Sequence, residues 1–152
     1  MCYLASTIAR YFIEESKGKK TPMQLIKMTY IAHGWSLAIN NKPLIVEDVE
    51  AWKYGPVIPS LYYEFKKYGK NPVPYIPIEE TNYIKPDDKK LLDKIIEVYG
   101  YWNGLQLSAN THKEGTPWHQ TKKWYTMGNP IIPEKIIRDY YIEKYKQTNE
   151  GN

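Results

Sequence analysis

The sequence predicts a mainly α fold: a single compact helical domain of about six helices with a small β-ribbon. Apolar residues recur at helical spacing over several long segments. Two Thr-Pro pairs, at 21–22 and 116–117, stand where helices commonly begin, with Thr as N-cap and Pro as the first helical residue. The clearest strand pattern, with β-branched residues and partial alternation, is confined to residues 45–53.

The first two helices are predicted over residues 3–16 and 21–40. The apolar residues of the first are Leu4, Ile8, Tyr11 and Phe12. In the second, Thr21 and Gln24 have the spacing of a capping box. Two adjacent stripes give this helix a broad apolar face, formed by Leu25, Met28, Ala32, Trp35 and Ile39 and by Ile26, Tyr30, His33 and Leu37. It is therefore predicted to be the central buried helix.

The β-ribbon is predicted after the second helix. Residues 45–53 have the pattern of a short strand, which Gly55 and Pro56 are expected to end. Residues 70–86 contain four prolines and are predicted to form an ordered, extended excursion. This excursion can supply one short strand that pairs with residues 49–53.

The remaining helices are predicted from the same apolar spacing. The third begins at Pro59, the fourth spans about 87–99, two short helices lie within 101–128, and the last covers about 133–146. Their inward-facing residues are predicted to be Leu61, Phe65 and Tyr68; Leu91, Ile95 and Val98; Leu105, Ala109 and His112; and Ile136, Ile137, Tyr140 and Tyr141.

Length and composition indicate one cytoplasmic domain. A chain of 152 residues, 42% hydrophobic and 25% charged, is typical of a globular protein with a real core. Its apolar runs are too short to cross a bilayer, and the N-terminus lacks the pattern of a signal peptide. The lone Cys2 excludes an internal disulfide, which favours a reducing compartment. We expect one domain over residues 1–146 and a flexible tail over 147–152.

The basic charge predicts no more than weak, non-specific binding to nucleic acid. The net charge is +4, and of the 21 basic residues only Arg10 and Arg138 are arginines. Lysines can contact phosphates, whereas base edges are usually recognised by Arg, Asn or Gln on an element that fits a groove. A specific DNA-binding protein is therefore the less favoured class.

The sequence predicts no cofactor, no metal and no catalytic centre. The three histidines are His33, His112 and His119. An H-x-E pair, His112 and Glu114, occurs without the two thiolates that a zinc deaminase requires. His33 lies in an apolar stripe and is interpreted as a core histidine with its hydrogen bonds satisfied. Neither a G-x-S-x-G motif nor a glycine-rich phosphate loop is present.

Aromatic residues give the strongest signal of a binding function. The chain has 15 tyrosines and five tryptophans, and several of them crowd the stretch EAWKYGPVIPSLYYEF at 50–65. Tyr and Trp are enriched among interface anchors because they bury a large area and keep a polar tip. Half-burial around the core is the alternative explanation for many of them.

Two long motifs resemble the Panacea domain, also called the SocA-like or GepA-like phage-associated family. The first is TPMQLIKMTYIAHGWSLAINNKPLIVEDVEAWKYGPVIPSLYYEFKKYG at 21–69, and the second is LSANTHKEGTPW at 107–118. The two blocks occur in the family's order, and the resemblance spans nearly the whole chain.

The resemblance implies an antitoxin that neutralises a protein toxin, encoded next to it in a bacterial or phage genome, by direct binding. It implies no catalytic activity. The expected motif or partner-binding residues are Glu50, Trp52, Tyr54, Gly55, Pro56, Tyr62 and Tyr63. The expected structural motif consists of Thr111, His112, Glu114, Pro117 and Trp118.

Three other functions stay open: a phage-encoded inhibitor of a host defence protein, a DNA-binding autoregulator, and a hydrolase that uses His112 and Glu114. For the structural motif we expect His112 to face the core and to pair with Glu114, and Trp118 to act as a packing plug. This contact is expected near the turn between Trp52 and Pro56.

Overall fold

The computed structural model describes residues 2–150 and confirms the mainly α fold. Within these residues there are seven helices: α1 (Ala5–Ser16), α2 (Pro22–Asn40), α3 (Pro59–Phe65), α4 (Pro86–Tyr99), α5 (Gly104–His112), α6 (Pro117–Trp124) and α7 (Glu134–Glu150). Two strands, β1 (Glu50–Trp52) and β2 (Gly55–Val57), form the small sheet. Short 3-10 turns lie at Lys66–Tyr68 and Glu80–Tyr83. The flexible tail was predicted over residues 147–152. Residues 147–150 belong to the last turn of α7, and Gly151 and Asn152 lie outside the described residues.

Helix α2 is the central helix of the fold, as predicted. The backbone N–H of Thr21 donates to Gln24 Oε1 at 2.9 Å, and the N–H of Gln24 donates to Thr21 Oγ1 at 3.3 Å. This capping box satisfies donors that the first turn leaves unpaired. Beyond it, α2 packs against α1, α3, α4, α5, α7 and β2. Of its two predicted stripes, only Ile39 is exposed, because it lies where α2 leaves the core.

The most extensive contact of α2 is with α7, and it depends on a glycine. A Cβ atom on Gly34 would lie 2.4 Å from two ring carbons of Tyr141, which is closer than carbon atoms can approach. The Tyr141 ring is buried and packs edge-on against Trp35 and Tyr30, with centroid distances of 5.3 and 6.3 Å. The missing side chain of Gly34 therefore makes room for this aromatic cluster.

The β-ribbon exists, but its predicted pairing was wrong. Strand β1 pairs antiparallel with β2, so Gly55 and Pro56 lie inside the second strand instead of ending the first. The N–H of Ala51, which stands opposite Pro56, turns away and donates to Pro130 O at 2.8 Å. Proline is tolerated in β2 because no donor is needed there. Segment 70–86 does not pair with β1; on the far side of β1, residues 130–132 occupy the place expected for it.

Helices α4 and α5 bury partly different residues from those predicted, whereas in α1 Ile8, Tyr11 and Phe12 are buried as predicted and only Leu4 differs. Leu4 precedes α1 and is exposed. In α4, Ile95 is buried as expected, whereas Val98 is exposed and Leu92 and Tyr99 are buried instead. In α5, Leu105 and Ala109 are exposed, and the buried residues are Leu107, Ser108 and Thr111. Since α5 is short and has leucines on opposite faces, packing rather than periodicity decides which face is buried.

For α3 and α7, the residues predicted to face inward agree better with those that are buried in the structure. Leu61 and Phe65 of α3 are buried, and Tyr68 in the following 3-10 turn is half-buried against the core. In α7, Ile137 and Tyr141 are buried, while Ile136 and Tyr140 are half-buried. None of the helices within residues 2–150 has both the length and the apolar character to span a bilayer.

His33 is a buried histidine whose ring accepts hydrogen bonds from the loop after α2. The backbone N–H of Leu44 donates to its Nδ1 at 3.1 Å, and that of Ile45 donates at 3.5 Å. Two inward-facing donors at one ring nitrogen require the neutral imidazole, because a protonated Nδ1 cannot accept. The expectation of a satisfied core histidine is confirmed, and burial lowers the pKa of His33 to about 4.

We expect His33 to make the fold acid-sensitive. An unfolded histidine titrates near 6.5, so below that pH the unfolded chain binds a proton that the folded chain does not. The free energy of unfolding should therefore fall with pH, by about 2 kcal/mol between pH 6.5 and 5 from this group. Urea unfolding at several pH values measures the slope. His33→Gln should flatten it; an unchanged slope in this variant would contradict the assignment.

Candidate partner-binding site

The two predicted motif blocks meet at the β1–β2 hairpin. From α6, Trp118 Nε1 donates to the carbonyl oxygen of Trp52 at 2.5 Å. From α5, Ser108 Oγ donates to the carbonyl oxygen of Tyr54 at 3.0 Å. These bonds tie the last residue of β1 to α6 and the turn residue Tyr54 to α5. The predicted proximity of the second block to the Trp52–Pro56 turn is confirmed.

The predicted roles inside the second block need correction. His112 is half-buried and does not pair with Glu114, which is exposed and makes no hydrogen bond within the described part of the chain. Instead, His112 Nδ1 lies 3.3 Å from Ser108 Oγ, and its ring meets Trp118 edge-on at 5.4 Å. Trp118 is half-buried; it packs against the edge of the core and also bonds to the hairpin. The residue after Glu114 is Gly115, whose positive φ of 87° turns the chain before α6.

The remaining members of the block are structural. Thr111 is buried, and its hydroxyl donates to the carbonyl oxygen of Leu107 at 2.9 Å. Pro117 is buried at the first position of α6, after the N-cap Thr116, whose Oγ1 accepts from the N–H of His119 at 3.3 Å. The cap-then-proline start that the sequence predicted for this helix is confirmed.

Three aromatic side chains form an exposed ridge next to the hairpin; we call Trp52, Tyr62 and Tyr63 the aromatic ridge. The ring centroids of Trp52 and Tyr62 are 4.9 Å apart, and those of Tyr62 and Tyr63 are 5.4 Å apart. Tyr62 is 38% exposed and Tyr63 62% exposed, while Trp52 is half-buried. Glu50 Oε1 accepts from Trp52 Nε1 at 3.0 Å and so fixes the indole orientation. Tyr54, 68% exposed, stands apart at the hairpin tip.

A groove of about 500 Å³ runs between the ridge and the start of α2. Its apolar wall comes from Pro22, Met23, Ile26 and Val57, and its aromatic wall from Trp52, Tyr54 and Tyr62. The rest of the lining consists of Gly69 and three lysines, Lys27, Lys53 and Lys66. No carboxylate lines this groove among the described residues, so it is an apolar cleft with a positive charge bias.

Lys27 is the unusual residue of this groove. Its side chain is 4% exposed, and its Nζ donates to the carbonyl oxygen of Pro56 at 2.7 Å. Burial, without a carboxylate partner, lowers the pKa of Lys27 to about 7. Gly55 makes this approach possible, because a Cβ atom there would lie 3.0 Å from Nζ. The sequence analysis did not single out Lys27; the available signal was one charged residue within a helix that is otherwise apolar on most sides.

The described residues show no arrangement of three or more His, Cys, Asp or Glu side chains suited to a metal ion. His112 and Glu114 do not converge, so the pair that a hydrolase would need is not formed in this structure. This region of the structure consists of the braced β1–β2 hairpin, the aromatic ridge and the groove. Such an arrangement is suited to binding another molecule.

The comparisons with known proteins agree with the motifs. The family described as "Antitoxin SocA-like, Panacea domain" matches residues 25–119, well over half of the chain. This chain belongs to the Panacea family. The Panacea relative Antitoxin SocA of Caulobacter vibrioides (strain NA1000 / CB15N) is 27% identical over 127 residues, which is 75% of this chain and 68% of that protein. No solved structure matches this Panacea chain.

The matched Panacea span contains the hairpin, the aromatic ridge, the second motif block and all but the first four residues of the first block. It begins inside α2 and ends in the first turn of α6, so α1 and α7 lie outside it. The family resemblance read from the motifs is therefore confirmed.

Proposed function

We propose that this chain is an antitoxin that neutralises a protein toxin, encoded next to it, by direct binding through the aromatic ridge and the hairpin. The Panacea match and the relative named as an antitoxin support the antitoxin role. The structural observation that carries the choice of surface is the aromatic ridge itself: Tyr62 and Tyr63 are exposed and contact each other and the half-buried Trp52 at tilted and edge-on angles, beside a hairpin that α5 and α6 hold in place.

The physical properties of the ridge fit a binding surface. Trp and Tyr contribute large contact area for few rotatable bonds, and they dominate the residues whose truncation weakens protein complexes most. The hairpin is already braced by Trp118 and Ser108 and by the backbone bond to Pro130, so little ordering entropy is lost on association. Glu50, Gly55 and Pro56 are proposed to shape this surface, and Trp52, Tyr54, Tyr62 and Tyr63 to contact the toxin.

Neutralisation by binding needs no catalytic step, so we propose that the chain is not an enzyme. We also place its action in the cytoplasm, where a lone cysteine such as Cys2 stays reduced. The toxin would then be met in the compartment where it is synthesised.

The aromatic ridge is expected to be necessary for neutralisation. The adjacent reading frame is expressed alone and together with this chain, and growth and co-purification are measured. Tyr62→Ala/Tyr63→Ala should weaken the complex at least about tenfold and reduce rescue, because truncating such anchors typically costs about 2 kcal/mol or more. The matched control is Tyr83→Ala/Tyr101→Ala, two tyrosines that are exposed but do not line the groove.

Thermal unfolding of both double variants separates loss of binding from loss of fold. Rescue without a detectable complex would contradict neutralisation by direct binding. Equal losses of rescue in the ridge variant and the control variant would contradict the choice of surface.

A further inference from the structure

We propose that the groove beside the aromatic ridge receives an acidic segment of the bound protein, and that a carboxylate of this segment contacts the Lys27 ammonium. The inference rests on the proposed antitoxin function and deepens it, because it names the chemistry that the partner must present: a carboxylate flanked by apolar side chains.

The charge of the groove favours an acidic occupant. Lys27, Lys53 and Lys66 all line it, and no Asp or Glu of the described residues does. The nearest acidic residues in sequence are already engaged: Glu50 accepts from Trp52, and Glu64 is paired with Arg10 at 2.7 Å. Among the described residues, none of the three lysines forms an ion pair with a carboxylate.

Lys27 supplies the more specific observation. An ammonium group has three N–H donors, and within residues 2–150 the Nζ of Lys27 has one acceptor, the carbonyl oxygen of Pro56. Buried donors are usually paired, because an unpaired one loses its hydration without compensation. A carboxylate entering the groove would supply an acceptor and a counter-charge together.

The apolar wall defines the rest of the occupant. Met23, Ile26 and Val57 line one side of the groove and Tyr62 the other. An apolar side chain next to the carboxylate would bury itself there while the carboxylate reaches inward. The occupant is therefore an amphipathic protein segment, whereas a nucleic acid strand would place its phosphates against the apolar wall.

Proton uptake should accompany this contact. The charged or titratable side chains that line the groove with Lys27 are Lys53 and Tyr54 from the hairpin turn, Tyr62 from α3 and Lys66 from the 3-10 turn after α3, and His112 lies behind Gly55; none of them is a carboxylate. In the free protein, burial lowers the pKa of Lys27 to about 7. A carboxylate in contact favours the charged form and raises that pKa. Binding then takes up a proton, so affinity should decrease as pH rises above 7.

The test uses a display library of random twelve-residue peptides, selected on the purified protein. Peptides that bind the wild type should be enriched in Asp or Glu next to an aromatic or aliphatic residue. Changing the acid of a selected peptide to its amide should weaken binding at least about tenfold, which is typical of a lost charged hydrogen bond. Affinity should also fall by up to about tenfold per pH unit above pH 7.

Lys27→Met should remove both the acid preference and the pH dependence. The matched control is Lys144→Met, because Lys144 is also partly buried but lies in α7 against a different cavity; it should behave as the wild type. Selected peptides without acidic residues, or peptides whose binding is unchanged in Lys27→Met, would overturn the proposal. Tighter binding of a twelve-nucleotide oligothymidylate at the same site would overturn the assignment to a protein segment.

The selection does not involve the toxin, so the two proposals can fail separately. If the peptides show no acid preference while co-expression still rescues growth, the groove inference is wrong and the antitoxin function stands. If the groove selects acidic peptides but the adjacent reading frame is neither bound nor neutralised, the antitoxin function is wrong.

Discussion

Replacing Gly34 with alanine is expected to destabilise the fold by about 3 kcal/mol, at the upper end of the usual range for overpacking. The added methyl group would lie 2.4 Å from the Tyr141 ring, so α2 and α7 must move apart. The ring cannot move aside, because it is buried between Trp35, Tyr30 and Tyr140. The loss should appear even though alanine is the better helix former by about 1 kcal/mol.

Chemical denaturation of Gly34→Ala measures this loss, and two further variants locate its cause. Gly104→Ala is the control, since its methyl group would meet the flexible Met23 side chain at 3.1 Å, which can give way. In a chain that already carries Tyr141→Leu, Gly34→Ala should lower the free energy of unfolding by at least about 1 kcal/mol less than it does in the wild type. Coupling energies of this size are common between residues in contact. If the cost is the same in both backgrounds, the ring is not what limits the approach of the helices.

Replacing Lys27 with methionine is expected to stabilise the chain by about 2 kcal/mol at pH 7. Holding a lysine at a pKa of about 7 rather than 10.5 costs about 4 kcal/mol at this pH. Lys27→Met removes this cost. Part of the resulting stabilisation is offset, because the carbonyl of Pro56 loses its donor, which costs about 1–3 kcal/mol. A variant that is more stable but binds no acidic peptide would show that Lys27 is retained for binding.

The pH dependence of the free energy of unfolding tests whether Lys27 destabilises the folded chain. Between pH 7 and about 10.5 the unfolded chain holds a proton on Lys27 that the folded chain has released, so the free energy of unfolding should rise with pH. The wild type should gain about 4 kcal/mol across this range from Lys27, and Lys27→Met should lack this gain. Urea unfolding at pH 7, 8 and 9 measures both chains. A variant less stable than the wild type at pH 7 would contradict an uncompensated buried charge.

Local sequence rules predicted the helices and their starts because their causes are local. Thr21 and Gln24 lie three residues apart, and Thr116 precedes Pro117, so the caps depend on neighbours in the sequence alone. The central position of α2 followed from apolar residues on most of its circumference. The family followed from two long motifs.

Features that depend on distant residues could not be predicted in the same way. The strand partner of β1 was wrong because Lys53 and Tyr54 form a turn without the Asn-Gly or Asp-Gly pattern that marks a two-residue hairpin. Leu107 rather than Leu105 of α5 is buried because of what α5 packs against. Lys27 went unnoticed because its importance depends on the carbonyl of Pro56, which only the folded chain brings to it. Within the candidate site, the ridge residues were named from sequence and the groove was not.

The close approach of α2 and α7 also bears on how this protein can be divided. The span shared with the family, residues 25–119, ends before α7 begins, yet α7 covers the Gly34 side of α2 with Tyr141. A fragment trimmed to the shared span would leave Tyr30 facing water and would remove Pro130, which bonds to the hairpin. The span that the family model matches is thus smaller than the packed unit. Grafts and chimaeras that aim to transfer the proposed binding surface should carry the chain through α7.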